Sequence, residues 1–237
     1  MIIERRYVGP PDSGNGGWSA ARFAAAVDGR AIGGEPVGGD AVGGGALGGG
    51  AVEVTLRRPV PVETPLTAVD GEIRDPAGLV IAEVRAAAEP SPVVGPVDLA
   101  VARAASAAYP GLLHHPFPGC YVCGPAHPDG LRIYPGRLPD GRTAAPFLVP
   151  ADVSVATVWA ALDCPGGWTV LGPGRPYVLG RITARVTALP RPGDECVVTG
   201  RAGDVAGRKA QADSSLYGPT GTLLGHARAT WIALPAG

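Results

Sequence analysis

Pro76-Ala77-Gly78-Leu79-Val80-Ile81-Ala82-Glu83-Val84-Arg85 and Pro219-Thr220-Gly221-Thr222-Leu223-Leu224-Gly225-His226-Ala227-Arg228 carry the same order of turn, apolar run and arginine at a constant offset of 143 residues. Pro-x-Gly sets a tight turn, and the run after it suits a strand packed within a sheet. The elements upstream of the two segments match as well. Val52 to Leu56 and Pro65 to Val69 precede the first, with Asp70-Gly71 as a further turn. Leu179 to Val186, Glu195 to Thr199 and Arg208 to Tyr217 precede the second, which itself reads as a strand from Thr222 to Leu234. Pro190-Arg-Pro192-Gly-Asp194 mirrors Pro59-Val-Pro61-Val-Glu-Thr-Pro65. Each series opens on an apolar helix: Gly17 to Val27, with Asp12, Ser13 or Asn15 as candidate caps, and Thr157 to Asp163. Trp18, Ala21, Ala24 and Ala25 in the first and Val158, Trp159, Ala161 and Leu162 in the second leave little polar surface, so each helix is expected to lie against a sheet. Strand pattern alone leaves open two unrelated antiparallel meanders; the repeated helix, strand and hairpin order favours a duplication.

Composition narrows the function. The chain has 237 residues, 46% of them hydrophobic and 17% charged, with a formal net charge of -1. That suffices for a sizeable core and excludes a disordered chain. No basic stripe is present, which argues against a nucleic-acid partner. No run reaches the roughly 18 apolar residues of a membrane span, and the start, Met1-Ile-Ile-Glu-Arg-Arg, lacks the apolar stretch of an export signal. Four cysteines in a chain of this length do not make a disulfide scaffold, so reduced thiols and a cytoplasmic location are expected. Two segments fall outside the repeat. Residues 33–50 are rich in glycine and read as a mobile surface insertion; Val97 to Tyr109 reads as a helix joining the two parts. The expected division is an N-terminal half over 1–96, a linker helix and loop over 97–119, and a C-terminal half over 120–237.

Two stretches carry a resemblance to a known family: Cys120-Tyr-Val-Cys-Gly-Pro-Ala-His-Pro-Asp-Gly-Leu131 and Trp159-Ala-Ala-Leu-Asp-Cys-Pro-Gly-Gly-Trp168. Both resemble hot-dog-fold acyl-CoA thioesterases, which often carry a C-x-x-C-G-x-x-N-P-x-G-L segment followed by a buried helix of the form H-G-G-x-x-x-x-L-x-D. His127 stands at the asparagine position. The resemblance covers most of the second half and reaches the first only through its element order. It implies an α+β fold, a tandem double hot-dog with two antiparallel sheets, each wrapped around a central helix. In such proteins a backbone N–H at the first glycine of H-G-G polarises the thioester carbonyl, and an acid nine positions after the histidine serves as base or nucleophile. Counted out here, Asn15-Gly16-Gly17 matches H-G-G with Ala24 at the acidic position, while Asp163 matches the acid with Ser154-Val155-Ala156 in place of H-G-G. Each half retains what the other lacks.

In family dimers the oxyanion glycine and the acid of one site come from opposite subunits. The resemblance therefore implies one composite site joining Gly16 and Asn15, as oxyanion donors, to Asp163; the complementary pairing of Val155 with Ala24 has no acid. Gly17, Trp18 and Trp168 are the candidate acyl-binding residues, although core packing explains both tryptophans equally well. The implied activity is hydrolysis of an acyl-CoA or related acyl thioester, with coenzyme A as part of the substrate and no metal or redox cofactor. The alternative is a binding protein for acyl ligands that has lost catalysis. A homodimer formed through sheet edges is compatible with either.

The remaining residues allow other readings. Asn15 before two glycines is also an ordinary helix cap, and Asp163 before Cys164-Pro165 is a plausible helix end. Cys120-x-x-Cys123 with His114, His115 and His127 nearby suggests half of a zinc site, but no second C-x-x-C follows, and a structural turn is the simpler expectation. Cys164 is expected to pack as a small buried side chain, and His226 on its strand to be structural. The glycine tracts match neither phosphate-binding nor dinucleotide-binding patterns.

Overall fold

The computed structural model describes residues 1–27, 50–90, 93–171 and 175–235, and in it the alternating runs pair into one antiparallel sheet. The glycine-rich segment expected as an insertion lies outside the described residues, apart from Gly50. Helix α1 (Gly16–Val27) is followed by β1 (Ala51–Leu56), β2 (Thr67–Val69), β3 (Glu72–Arg74) and β4 (Val80–Ala87). Helix α2 (Leu99–Ala107), β5 (Gly136–Arg137) and β6 (Thr143–Leu148) come next. Helix α3 (Val155–Val170) then leads into β7 (Tyr177–Val186), β8 (Glu195–Ala206), β9 (Lys209–Tyr217) and β10 (Leu223–Ala233).

The strand order among the described residues is β2-β3-β4-β1-β7-β10-β9-β8-β6-β5. Outward from β1 and β7 the two sides follow the same path, β1-β4-β3-β2 on one and β7-β10-β9-β8 on the other. The turns at the quoted segments correspond too: Gly78 and Gly221 both adopt positive φ, +81° and +78°. Their arginines do not. Arg85 pairs with Glu53 on β1, whereas Arg228 pairs with Asp213 on β9, so the repeat preserves the position but not the partner.

The expectation of two sheets, each with its own helix, is corrected by the pairing of β1 with β7. Val54 faces Ile182 across that junction, and both are fully buried. Left apart, β1 and β7 would each expose a row of unpaired backbone groups; pairing satisfies both rows and merges the sheets. Helices α1 and α3 pack on each other, with α1 on β1, β4 and β7, and α3 on β6 to β10. One hydrophobic core spans the junction, from Phe23, Val54 and Ile73 to Phe147, Ile182 and Leu216. Helix α2 lies over β5, β6 and β8, where Ala102, Ala144 and Val197 form a small separate cluster.

Helix α3 is longer than the sequence suggests. It continues past Asp163 and through Pro165 to Val170, and every residue from Ala156 to Thr169 is buried. Proline removes the N–H that the Ala161 carbonyl would receive. Neighbouring carbonyls find other donors, Leu162 from the Ser214 hydroxyl and Pro165 from the Thr143 hydroxyl at 2.7 Å. Burial on all sides stabilises the extra turns enough to offset the lost bond.

Candidate functional site

Asn15 occupies the N-cap of α1, held there from both directions. Its own N–H donates to the Tyr7 carbonyl at 2.6 Å, its carbonyl accepts from Ser19 N–H at 2.9 Å, and its side-chain Oδ1 accepts from Trp18 N–H at 2.9 Å. This is the ordinary capping role of asparagine, and it directs the Nδ2 group away from the helix. That group donates to Asp163 Oδ2 at 3.1 Å, and Gly17 N–H donates to the same oxygen at 2.9 Å. Gly16 N–H is the first-turn amide for which no acceptor lies among the described residues. The structure thus brings together Asn15, Gly16, Gly17 and Asp163, the residues drawn from the two incomplete motifs.

The crossing of α1 over α3 makes this possible. A Cβ on Gly17 would lie 2.5 Å from the Trp159 carbonyl oxygen and 2.7 Å from Asp163 Cβ. A Cβ on Gly16 would lie 2.6 Å from Leu179 Cδ2 and 2.8 Å from its Cβ. The paired glycines are therefore a condition of helix contact as well as of backbone access.

Asp163 is 2% exposed and Asn15 likewise 2%. Burial pushes the Asp163 carboxyl up to about 7; the Gly17 N–H pulls it down, charge on Cys120 pushes it up, and the Asn15 amide pulls it down. Asp163 Oδ1 meets no hydrogen-bond partner among the described residues. The carboxyl lines a cavity of about 420 Å³ together with Asn15, Gly16, Leu179, Trp168 and Trp231. Arg57 and Arg58, both exposed, also border it.

The two candidate tryptophans differ. Trp168 lines the cavity, with its ring edge-on to Tyr109 at 4.6 Å. Trp18 is not among the lining residues; it stacks on Tyr7 at 3.7 Å and meets Tyr121 edge-on at 5.6 Å. Gly17 sits in the helix crossing rather than in the cavity wall. At the complementary position Ala24 is buried, and Ser154 caps α3 in a reciprocal pair with Thr157: Ser154 Oγ accepts from Thr157 N–H at 3.3 Å, and Ser154 N–H donates to Thr157 Oγ1 at 3.1 Å.

Sequence spacing did not reveal the neighbours of this carboxyl. Tyr121 N–H donates to the Val8 carbonyl at 2.8 Å, which pins the Cys120 loop beside the start of α1. Cys120, Cys123 and Cys164 consequently lie together in the cavity wall, with their sulfurs all within 4.8 Å of one another. Hydrogen bonds with Cys123 and Cys164, and further ones from the Cys123 and Val122 amides, hold the Cys120 thiol well below its ordinary range despite burial. His127 is elsewhere, its Nε2 2.8 Å from the Arg6 carbonyl. His226 pairs with Glu89 at 2.8 Å, in keeping with a structural role.

No known family profile matches the chain, and no curated protein is similar enough to match it. Solved structures do match. The tesB protein of Mycobacterium avium subs paratuberculosis superposes on 99% of this chain and 91% of its own, with a TM-score of 0.58 at 13% identity. A hypothetical protein of Thermus thermophilus described as a thioesterase superfamily member is 21% identical over 40% of this chain and 82% of its own, with a TM-score of 0.37. A hypothetical thioesterase protein from Streptococcus pneumoniae, solved with coenzyme A, is 13% identical over 41% of this chain and 84% of its own, with a TM-score of 0.38. The chain therefore shares its α+β fold with the tesB protein, and it has one large antiparallel sheet.

Proposed function

We propose that this chain is a tandem double hot-dog, with halves over 1–96 and 120–237 joined by 97–119, that hydrolyses acyl thioesters at the composite site of Gly16, Asn15 and Asp163. The observation that carries the reading is the meeting of Asn15 Nδ2 and Gly17 N–H on Asp163 Oδ2, across 148 and 146 residues of sequence, in the wall of one cavity. The twofold path of the strands and the full-length likeness to the tesB protein support the architecture.

In this reading the acyl group enters the apolar cavity past Leu179, Trp168 and Trp231. The thioester carbonyl meets the N-terminus of α1, where Gly16 N–H is the donor to the oxygen as charge develops there. Asp163 acts through Oδ1, either as base toward water or as nucleophile at the carbonyl carbon. With water, the new C–O bond forms as the proton passes to Asp163. The C–S bond then breaks, and the departing sulfur takes the proton, giving a carboxylic acid and a thiol. Arg57 and Arg58 suit an anionic carrier such as coenzyme A; Arg57 is engaged by Glu83 at 2.7 Å, and Arg58 donates to the Val80 carbonyl at 2.6 Å.

One observation favours a second reading, an acyl-ligand binding protein. Asn15 Nδ2 and Gly17 N–H are both spent on the carboxyl, which leaves fewer donors for a substrate oxygen. Turnover of a panel of acyl-CoAs by the full chain and by Asp163→Ala decides between them. Hydrolysis by the wild type that falls by about 10²-fold or more in the variant supports the enzyme. Tight binding with no hydrolysis by either protein supports the binding reading and sinks the first.

A further inference from the structure

We propose that Cys120, Cys123 and Cys164 bind one zinc ion as thiolates, with the fourth coordination position opening onto the acyl cavity. The geometry already fits. Tetrahedral zinc with bonds of about 2.3 Å to sulfur places its thiolates about 3.8 Å apart. Cys120 Sγ and Cys164 Sγ are 3.9 Å apart, and all three sulfurs lie within 4.8 Å of each other. All three residues are buried and line the cavity, which is the side from which a fourth ligand would reach the ion.

Polar N–H groups surround two of the three sulfurs. Cys120 Sγ accepts from the backbone N–H groups of Val122 and Cys123 and faces Asn15 Nδ2 at 3.9 Å. Cys123 Sγ faces Trp168 Nε1 at 3.5 Å and His115 Nε2 at 3.4 Å. His115 Nδ1 accepts from Phe117 N–H at 2.9 Å, so its neutral ring carries the proton on Nε2 and donates to the sulfur instead of ligating. Five N–H groups thus converge on two sulfurs, and such outer donors are what orient and stabilise metal thiolates. Three thiolates in an apolar wall need a compensating cation, and thiolate sets select zinc among divalent ions of borderline softness. Sequence spacing near Cys120 supplies only two of the three sulfurs; the third, on Cys164, is carried by α3.

The test uses the full chain purified under reducing conditions. Elemental analysis is expected to find one zinc per chain, and replacement by cobalt(II) to give a thiolate-to-metal charge-transfer band. Trp168→Phe, which keeps the ring but loses the N–H, is expected to weaken zinc about 10- to 100-fold in competition with a chromophoric chelator. Cys164→Ser is expected to lose the ion, while Cys196→Ser, a buried cysteine of β8 outside the cluster, retains it. Should Cys164→Ser fail to fold, the wild-type metal content and the cobalt spectrum still decide. Metal-free protein with no cobalt band, or an intact mass showing a disulfide among the three cysteines, overturns the proposal. The outcome is independent of turnover, so it stands or falls separately from the hydrolase reading.

Discussion

Asp163 Oδ2 accepts a hydrogen bond from Gly17 N–H at 2.9 Å, joining the buried helix α3 to the first turn of α1. That bond fixes where a carboxyl stands relative to a helix N-terminus, and the surrounding glycines determine whether it can form.

Gly17→Ala is expected to destabilise the chain. Alanine favours helix over glycine by about 1 kcal/mol, but the added Cβ falls 2.5 Å from a main-chain oxygen that cannot yield without moving α3. Overpacking of this kind costs about 1–3 kcal/mol, so the melting temperature should drop on the order of 5 °C. A thermal scan showing equal or greater stability contradicts the close crossing.

Gly16→Ala tests a different contact. The new methyl strikes Leu179, a side chain that can be shortened, so the single variant is expected to lose about 1–3 kcal/mol. In a Leu179→Ala background the same change should cost much less. Denaturant unfolding of the four proteins gives the coupling; additive losses would mean that the two residues do not meet.

Asn15→Ser separates capping from positioning. Serine caps a helix about as well as asparagine, so stability should change by only a few tenths of a kcal/mol. The amide that holds Asp163 is lost, and a hydrogen bond to a charged group is worth about 1.5–3 kcal/mol. If the hydrolase reading holds, kcat is expected to fall about 10- to 100-fold with KM little changed. Unchanged kcat assigns Asn15 to capping alone.

The merged sheet should unfold as one unit. Ile182 and Val54 meet across the β1 and β7 pairing, and Ile182→Ala should remove about 2–5 kcal/mol from the whole chain rather than from one side. Calorimetry is expected to record a single transition in both proteins. Two transitions, with only one shifted by the substitution, would show two independent units.

Much of this was legible in sequence, for identifiable reasons. The turn and strand at Pro76 and Pro219 recur because each half needs the same hairpin beside its long strand, and the offset of 143 carries through to the first residues of β4 and β10, Val80 and Leu223. Counting along two helices of the same kind is enough to pair Asn15 and Gly17 with Asp163, and these three do meet. The joining of β1 to β7 was not legible, since edge pairing depends on how two surfaces meet and leaves no local pattern. The end of α3 was not legible either, because proline ordinarily stops a helix, whereas enclosure on every side carries this one to Val170. Trp18 and Trp168 both follow paired glycines, yet only the fold separates a ring stacked on Tyr7 from one lining the cavity. Cys164 joined Cys120 only when α3 was laid beside the loop after α2.

Because both arms of the strand path belong to one polypeptide, a substitution in one arm is felt once. In an assembly of two identical shorter chains, every change at a helix would appear twice, and any acid added or removed would be added or removed in both copies. Here Ala24 and Asp163 occupy corresponding places with opposite character, buried methyl against buried carboxyl. The strand path repeats while the two helices differ at these places, one carrying a methyl and the other a carboxyl.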